Sequence, residues 1–459
     1  MSELIDVNQI DTWQQPEIGE HPIHGFRYTS RDFLAQEWEG MWTKVWLLLG
    51  REAEIPNPKD WQMEEVGPEE ILMVRQEDNS IKAFYNVCQH RGNPLVDEKK
   101  GHIKQRFVCK YHSWAFLPDG ELHFAPDKDD FPEGNPCGKL RLEELRCETF
   151  AGFIWVNMDP NCVSLKEYLG PIWDEWERRE IHKWKRTMAN TAWLPCNWKI
   201  VLDNFNESYH VPTVHLRAKP GSDRSKVVSN INTYYKETRF DLSEQGHNRM
   251  VMKGGYAVGG VNDEGSIGEP LASLLRYWEL EPDDFKGRPE ETREAIQQAK
   301  RKLGPARGYT HYDKIPDDQM TDAFHYTLFP NFAVSLWSDG FHFLRARPHH
   351  SDPEKCLFDN WWYSSPASLE EPMTMARSHD KADVDEQTGE AKVQMIDLDK
   401  ESIGPAIEED VAVFVTQQRG FRSRGFKGVY LSNQEKRIRR YHELIDSYIE
   451  KHVGPVTDR

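Results

Sequence analysis

The chain has 459 residues, enough for two or three domains at roughly 100–200 residues each. Hydrophobic residues make up 38% and aromatics 12%, so a sizeable buried core is expected and a disordered or fibrous chain is excluded. A formal net charge of −18 repels phosphate backbones, and no stretch approaches the ~18 consecutive apolar residues of a membrane helix, so neither nucleic acid nor a membrane is an expected partner. The opening "MSELIDVNQIDTWQQPE" is polar and acidic, without the basic start and apolar run of a signal peptide, and a cytoplasmic protein is expected.

Residues 1–40 read as an N-terminal helical segment that belongs with the later part of the chain. From 41 to 160 the pattern is mostly β. "ILMVRQEDNSIKAFYNV" predicts two strands joined by a polar turn at Glu77 to Ser80, and "FAGFIWVNMDP" a further strand closed by proline. Short strands with frequent turns predict a small antiparallel sandwich. After 160 the character changes. "CNWKIVLDNFNESYHVPTVH" reads as helical until Pro212, and the Gly- and acid-rich 254–270 as a mobile loop that could cover a substrate channel. Residues 288–304 predict a charged helix capped by Gly304, and a last helix starts near Glu408. The expected fold class is α+β: an antiparallel β-sandwich inserted in a mixed domain, over 161–459, whose antiparallel sheet is covered by helices in a helix-grip-like arrangement.

Seven cysteines in so long a chain are no disulfide scaffold, and only Cys88 and Cys109 have a histidine within three residues. Cys88-x-His90 is followed, after 18 residues, by Cys109-x-x-His112. Each half places a thiol and an imidazole on one tight loop. A Cys2His2 set can hold zinc, but zinc fingers separate the cysteines from the histidines. Mixed halves suit a [2Fe–2S] cluster in which one iron takes both cysteines and the other both histidines. A second group stands at Glu207, His210 and His215. Residues i and i+3 share a helix face, and Pro212 would break the helix so that His215 can swing back toward His210. Two histidines and a carboxylate make the open-sided iron(II) site of oxygenases. Phe205, Tyr326, Trp337 and Phe343 are read as core packing before pocket lining.

"CQHRGNPL" and "CKYHSWAFLPDGEL" resemble the Rieske signature of the large subunits of Rieske non-heme iron oxygenases. The family usually has proline and glycine where Lys110 and Ser113 stand here. The resemblance covers nearly the whole chain and implies a terminal oxygenase with a Rieske cluster on Cys88, His90, Cys109 and His112. It implies a mononuclear Fe(II) on His210, His215 and Asp410, with Glu409 the rival of Asp410 in the same turn. It makes Glu207 a catalytic bridge between His210 and the His112 of a neighbouring chain in a homotrimer. Asp203, Asn204 and Tyr209 would lie around the site. Electrons would come from NAD(P)H through a reductase, often with a ferredoxin, and O₂ and a small organic substrate would meet at the mononuclear iron. A β subunit, and hydroxylation against oxidative demethylation, stay open. From another class, a Rieske electron-transfer protein is the alternative. Lys99, Lys100, Lys104, Arg106 and Lys110 form an expected basic collar for an acidic redox partner. Arg345 and Arg347 are candidates for a substrate carboxylate, against structural pairing.

Overall fold

In a computed structural model of the chain, residues 13, 16–20, 22–215, 238–253, 266–370 and 383–456 are described. Residues 254–265 of the loop predicted at 254–270 lie outside them. The chain divides into two compact units: Leu34–Tyr168 with Tyr448–Val456, and Met1–Phe33 with Leu169–Ser447 and Thr457–Arg459.

The first unit is antiparallel β throughout its described pairings. Its strands are β1 (Leu47–Arg51), β2 (Asp60–Val66), β3 (Glu69–Arg75), β4 (Ile81–Tyr85), β5 (Lys100–His102), β6 (Phe107–Val108), β7 (Ala115–Phe116), β8 (Leu122–Phe124), β9 (Glu144–Phe150) and β10 (Phe153–Asn157). They form a seven-stranded sheet in the order β1-β10-β9-β4-β3-β2-β5 and a three-stranded sheet β6-β7-β8. The polar turn expected between β3 and β4 is present: Asn79 adopts φ +67° and Asp78 Oδ1 accepts from the Ser80 amide at 3.0 Å. Trp61, Phe84, Leu95, Phe107, Trp114 and Leu122 share one core with Cys88 and Cys109.

Two loops of this unit have the same backbone. In the first, the Cys88 amide donates to the Asn93 carbonyl (2.8 Å) and the Gly92 amide to the Cys88 carbonyl (3.0 Å). In the second, the Cys109 amide donates to the Trp114 carbonyl (2.8 Å) and the Ser113 amide to the Cys109 carbonyl (3.0 Å). The turn requires a left-handed residue at its fourth step, which is Gly92 (φ +74°) in one loop and Ser113 (φ +59°) in the other. A serine Cβ is strained there, which explains why glycine suits that position.

The second unit holds β11 (Lys185–Leu194), β12 (Arg239–Leu242), β13 (Asn248–Met252), β14 (Ala323–Leu328), β15 (Phe332–Leu336), β16 (Gly340–Pro348), β17 (Cys356–Ser364) and β18 (Gln394–Met395). The sheet order is β12-β13-β14-β15-β16-β17-β11-β18, antiparallel except for the short parallel β11–β18 pairing. Helices α1 (Pro171–Arg178), α2 (Trp198–Phe205), α3 (Val211–Val214), α4 (Leu271–Tyr277), α5 (Thr292–Leu303), α6 (Pro405–Phe421) and the part of α7 (Lys436–His452) up to Ser447 complete its main elements, with α2 lying on β15, β16 and β17 and against α6. Asn197 ties the two helices together at their roots. Its side chain caps α2 through the Lys199 amide (2.9 Å), and its own amide donates to Gln418 of α6 (2.8 Å).

The structure corrects two local expectations. The helix predicted up to Pro212 ends at Phe205, because His325 and Thr327 of β14 divert the Phe205 carbonyl and the Asn206 side chain. Pro212 then falls in the first turn of α3, where its missing N–H is harmless. Gly304 does follow α5, but at φ −58° rather than left-handed; a Cβ there would meet the Tyr312 ring at 2.3 Å.

Ser113→Gly is expected to stabilise the first unit by about 0.5–1 kcal/mol, since glycine adopts the left-handed conformation without strain. Chemical denaturation followed by loss of the cluster absorbance measures this, and an unchanged or lower midpoint contradicts it.

Candidate functional site

The paired loops bring Cys88 and Cys109 together in the core, with the two thiols in hydrogen-bond contact, while His90 and His112 face each other with ring centroids 4.7 Å apart. The four residues therefore pair by type, thiol with thiol and imidazole with imidazole. Burial pushes the Cys88 thiol up to about 11, so its deprotonation requires a bound metal. Burial, then His112 and Arg91, push His90 down, which favours the neutral imidazole a metal needs. The His90 ring stacks on Trp114 at 4.7 Å, and its Nδ1 is buried without a hydrogen-bond partner among the described residues. That orphaned nitrogen and the thiol pair fit the donor set of a [2Fe–2S] cluster with two thiolates on one iron and two imidazoles on the other.

Asn86, which the sequence did not single out, holds the first loop. Its Oδ1 accepts from the Leu95 and Val96 amides (3.0 and 3.1 Å), and its Nδ2 donates to the Val96 carbonyl (2.8 Å) and to Glu70 (2.7 Å). At the rim, Arg91 lies over the Tyr111 ring, and Tyr111 and Val108 are exposed. The basic collar is partly neutralised, since Lys99 pairs with Glu65 and Lys110 with Asp97.

In the second unit His210, His215 and Asp410 each offer one ligand atom, and these atoms lie within 4.8 Å of one another. Asp410 Oδ1 stands 3.5 Å from His210 Nε2 and 3.2 Å from His215 Nε2. The opposite ring nitrogens are held by other acids. Glu207 accepts from His210 Nδ1 at 2.6 Å and from the His210 amide at 3.0 Å, and Glu409 accepts from His215 Nδ1 at 3.0 Å. Each imidazole is thus oriented by a carboxylate behind it and presents Nε2 to a common point. The geometry also separates the two rival acids of α6: Asp410 faces the converging Nε2 atoms, and Glu409 the far side of His215. The site fits a mononuclear iron on two imidazoles and one carboxylate. Asn204 Nδ2 donates to Asp410 Oδ1 at 3.2 Å.

Other expected site residues lie elsewhere. Asp203 accepts from the Tyr28 hydroxyl at 2.6 Å and faces His442 at 3.1 Å, a buried network that roots α2. Tyr209 is exposed. Arg345 and Arg347 do not present a free guanidinium pair to a substrate carboxylate: both bind the fully buried Asp359, at 2.7 and 3.0 Å. Burial works to raise the Asp359 carboxyl, and the two arginines overcome it and hold it low. Tyr326 and Phe343 are fully buried, and Tyr326 donates to Glu175.

Residues 174–451 match the family described as ring hydroxylating alpha subunit (catalytic domain), and residues 45–141 match the Rieske [2Fe-2S] domain. The chain belongs to the ring-hydroxylating alpha subunit family, and its cofactors are the Rieske cluster and the mononuclear iron of that family. It is 34% identical over 190 residues to the carnitine monooxygenase oxygenase subunit of Escherichia coli (strain K12), covering 41% of this chain and 50% of that protein. It is 34% identical over 203 residues to the large oxygenase component of the naphthalene 1,2-dioxygenase system of Pseudomonas aeruginosa, covering 42% and 44%. The chain spans about half the length of the curated relatives it matches. Two solved structures share the fold: a quaternary ammonium Rieske monooxygenase in complex with L-carnitine (TM-score 0.61, 20% identity, 93% of this chain and 95% of that one), and naphthalene 1,2-dioxygenase with indole bound (0.64, 22%, 93% and 91%). No described helix is long and apolar enough to cross a membrane.

Asp410→Ala is expected to abolish mononuclear iron retention, while Glu409→Gln weakens Fe(II) affinity by about 10–100-fold. Chelator competition on the iron-free site measures both, and equal losses would undo the distinction between ligand and orienting acid. The same assay reads a pH effect. Hydrogen bonding to Asp410 raises the His215 pKa against burial, with Glu409 adding to it. Protons therefore compete with Fe(II) from above the ordinary histidine range, and affinity should fall steadily as pH drops from about 8 to 6. A flat profile contradicts this.

Proposed function

We propose that this chain is the terminal oxygenase component of a multicomponent system. It would use O₂ and electrons from NAD(P)H, delivered by a reductase or ferredoxin, to hydroxylate an aromatic or other cyclic organic substrate. The observation that carries this reading is the convergence of His210 Nε2, His215 Nε2 and Asp410 in a chain that also has a Rieske domain. A simple electron carrier has no use for the second site. When bound, the two metal centres supply one-electron transfer and O₂ activation.

In this reading the chain's own residues do the rest. Cys88, Cys109, His90 and His112 would hold the cluster, the two cysteines from within the core. His210, His215 and Asp410 would hold the mononuclear iron. Glu207 orients His210 through Nδ1 and, with a second acceptor position left on its carboxylate, receives a histidine N–H from the Rieske domain of a neighbouring chain. A homotrimer provides that neighbour. Asn204 steadies Asp410. A cytoplasmic site of action follows from the need for NAD(P)H-derived electrons and accords with the seven free cysteines.

A second reading, monooxygenation, with O- or N-demethylation as one form of it, draws on the similarity to carnitine monooxygenase oxygenase subunits. For a demethylation the substrate carries an N- or O-methyl group, and in either form of this reading aromatic catabolism is not its role.

Iron and sulfide analysis tests the proposal first. The holoprotein should contain one iron per chain beyond the iron that its acid-labile sulfide explains, and His210→Ala should remove that iron with the cluster spectrum intact. Loss of the spectrum as well would contradict the separation of the two sites. A substrate screen with a generic reductase then sorts the reactions by product mass: two oxygens and two hydrogens gained for dihydroxylation, one oxygen for hydroxylation, loss of CH₂ for demethylation. Electron uptake with no product from any ring or N-methyl substrate would favour the carrier.

A further inference from the structure

Two hydrogen bonds from Asn206, the residue before Glu207, lies a buried cation that the reading above does not use. Arg437, in the first turn of α7, is fully buried. Its Nε donates to Asn248 Oδ1 on β13, and its Nη2 donates to the His325 carbonyl (3.1 Å) and to Thr327 Oγ1 (3.0 Å) on β14. Thr327 has one hydroxyl proton, and it goes to Asn206 Oδ1 at 2.7 Å. The donor sequence is therefore one-directional, from Arg437 through Thr327 to Asn206, the residue before Glu207. His325 makes a parallel tie: its Nε2 donates to the Phe205 carbonyl, and its Nδ1 accepts from Ser335 Oγ at 2.7 Å. Burial, then Arg437, push His325 down to about 3, so it is a neutral strut.

A guanidinium taken out of water is costly unless its charge is answered. Burial pushes Arg437 down, and Glu207 is the group whose charge opposes that. Nη1 has no hydrogen-bond partner among the described residues. A purely structural link between α7 and the sheet could be made with neutral groups. A buried cation tied through Thr327 to the residue before the bridging carboxylate does something more specific: it fixes the turn that carries Glu207.

We infer that Arg437 is a positioning residue for Glu207, acting through Thr327 and Asn206 to hold the carboxylate where it can receive the N–H of His210 and that of the electron-donating histidine. The inference rests on the reading of Glu207 as the bridge between the two metal centres.

The test uses iron-loaded holoenzyme of Arg437→Met, Arg437→Lys, Thr327→Val and Glu207→Gln. Three quantities are measured: the cluster spectrum, the iron retained beyond that matched to sulfide, and the rate of cluster reoxidation in a single turnover. Arg437→Met should keep the cluster spectrum and slow reoxidation by about 10–100-fold. Arg437→Lys, which keeps the charge and can donate to one of the three acceptors, should restore the rate to within several-fold of the parent. Thr327→Val, nearly isosteric but unable to relay the bond, should be slowed several-fold. An unslowed Arg437→Met overturns the inference. So does an Arg437→Lys as slow as the methionine variant with an equally lowered unfolding temperature, which marks a merely structural role. If Arg437→Met does not fold, Thr327→Val decides, and a parental rate there overturns the inference. Glu207→Gln separates the two levels. If it reoxidises at the parental rate, the bridge reading itself fails; if it is slow while the Arg437 and Thr327 variants are not, the Arg437 inference alone fails.

Discussion

Each of the two converging imidazoles of the second unit, His210 and His215, has its outer nitrogen occupied by a carboxylate. Glu207 sits 2.6 Å from His210 Nδ1 and Glu409 3.0 Å from His215 Nδ1. Because a neutral imidazole has one donor and one acceptor nitrogen, this fixes the tautomer: Nδ1 carries the proton and Nε2 the lone pair. Both lone pairs then point at the space beside Asp410. Without the rear acids the rings could rotate or exchange tautomers, and a three-residue site with open positions would not be held in shape.

The scaffold serves that constraint. Asn197 fastens the start of α2 to α6, so the helix that leads to the histidines and the helix that carries Asp410 share an anchor. At its far end α2 is stopped by the sheet, where His325 and Thr327 take up Phe205 and Asn206. The five residues that follow are irregular, and that freedom lets Glu207 turn back on His210 through both a side-chain and a backbone bond. In the other unit the division of labour is by depth. The cysteines belong to the core, and the histidines lie at a rim that carries exposed Tyr111.

The pairing of Cys88 with Cys109 and of His90 with His112 was legible in the sequence because tight loops make local spacing equivalent to geometry. The same holds for His210 and His215. Asp410 was not legible from spacing, since it meets the histidines only through the packing of α6 on α2. The choice between Asp410 and Glu409 becomes physical once the helix is seen: successive residues project about 100° apart, so the two acids cannot face one metal, and each takes a different side of the histidine pair. The helix stop was misread for a related reason. Pro212 is a visible local signal, whereas the diversion of Phe205 by His325 depends on a strand more than a hundred residues away. Arg345 and Arg347 looked available in the sequence because their partner, Asp359, sits on the next strand.

The account stands on which atoms meet the mononuclear iron. Anomalous diffraction at the iron edge from crystals of the iron-loaded protein shows this most directly. The expected map has a single iron bonded to His210 Nε2, His215 Nε2 and Asp410, with Glu207 and Glu409 bonded to the rear nitrogens, and a separate two-iron peak at Cys88, His90, Cys109 and His112. An iron held through either Nδ1, or by Glu409 in place of Asp410, would contradict it.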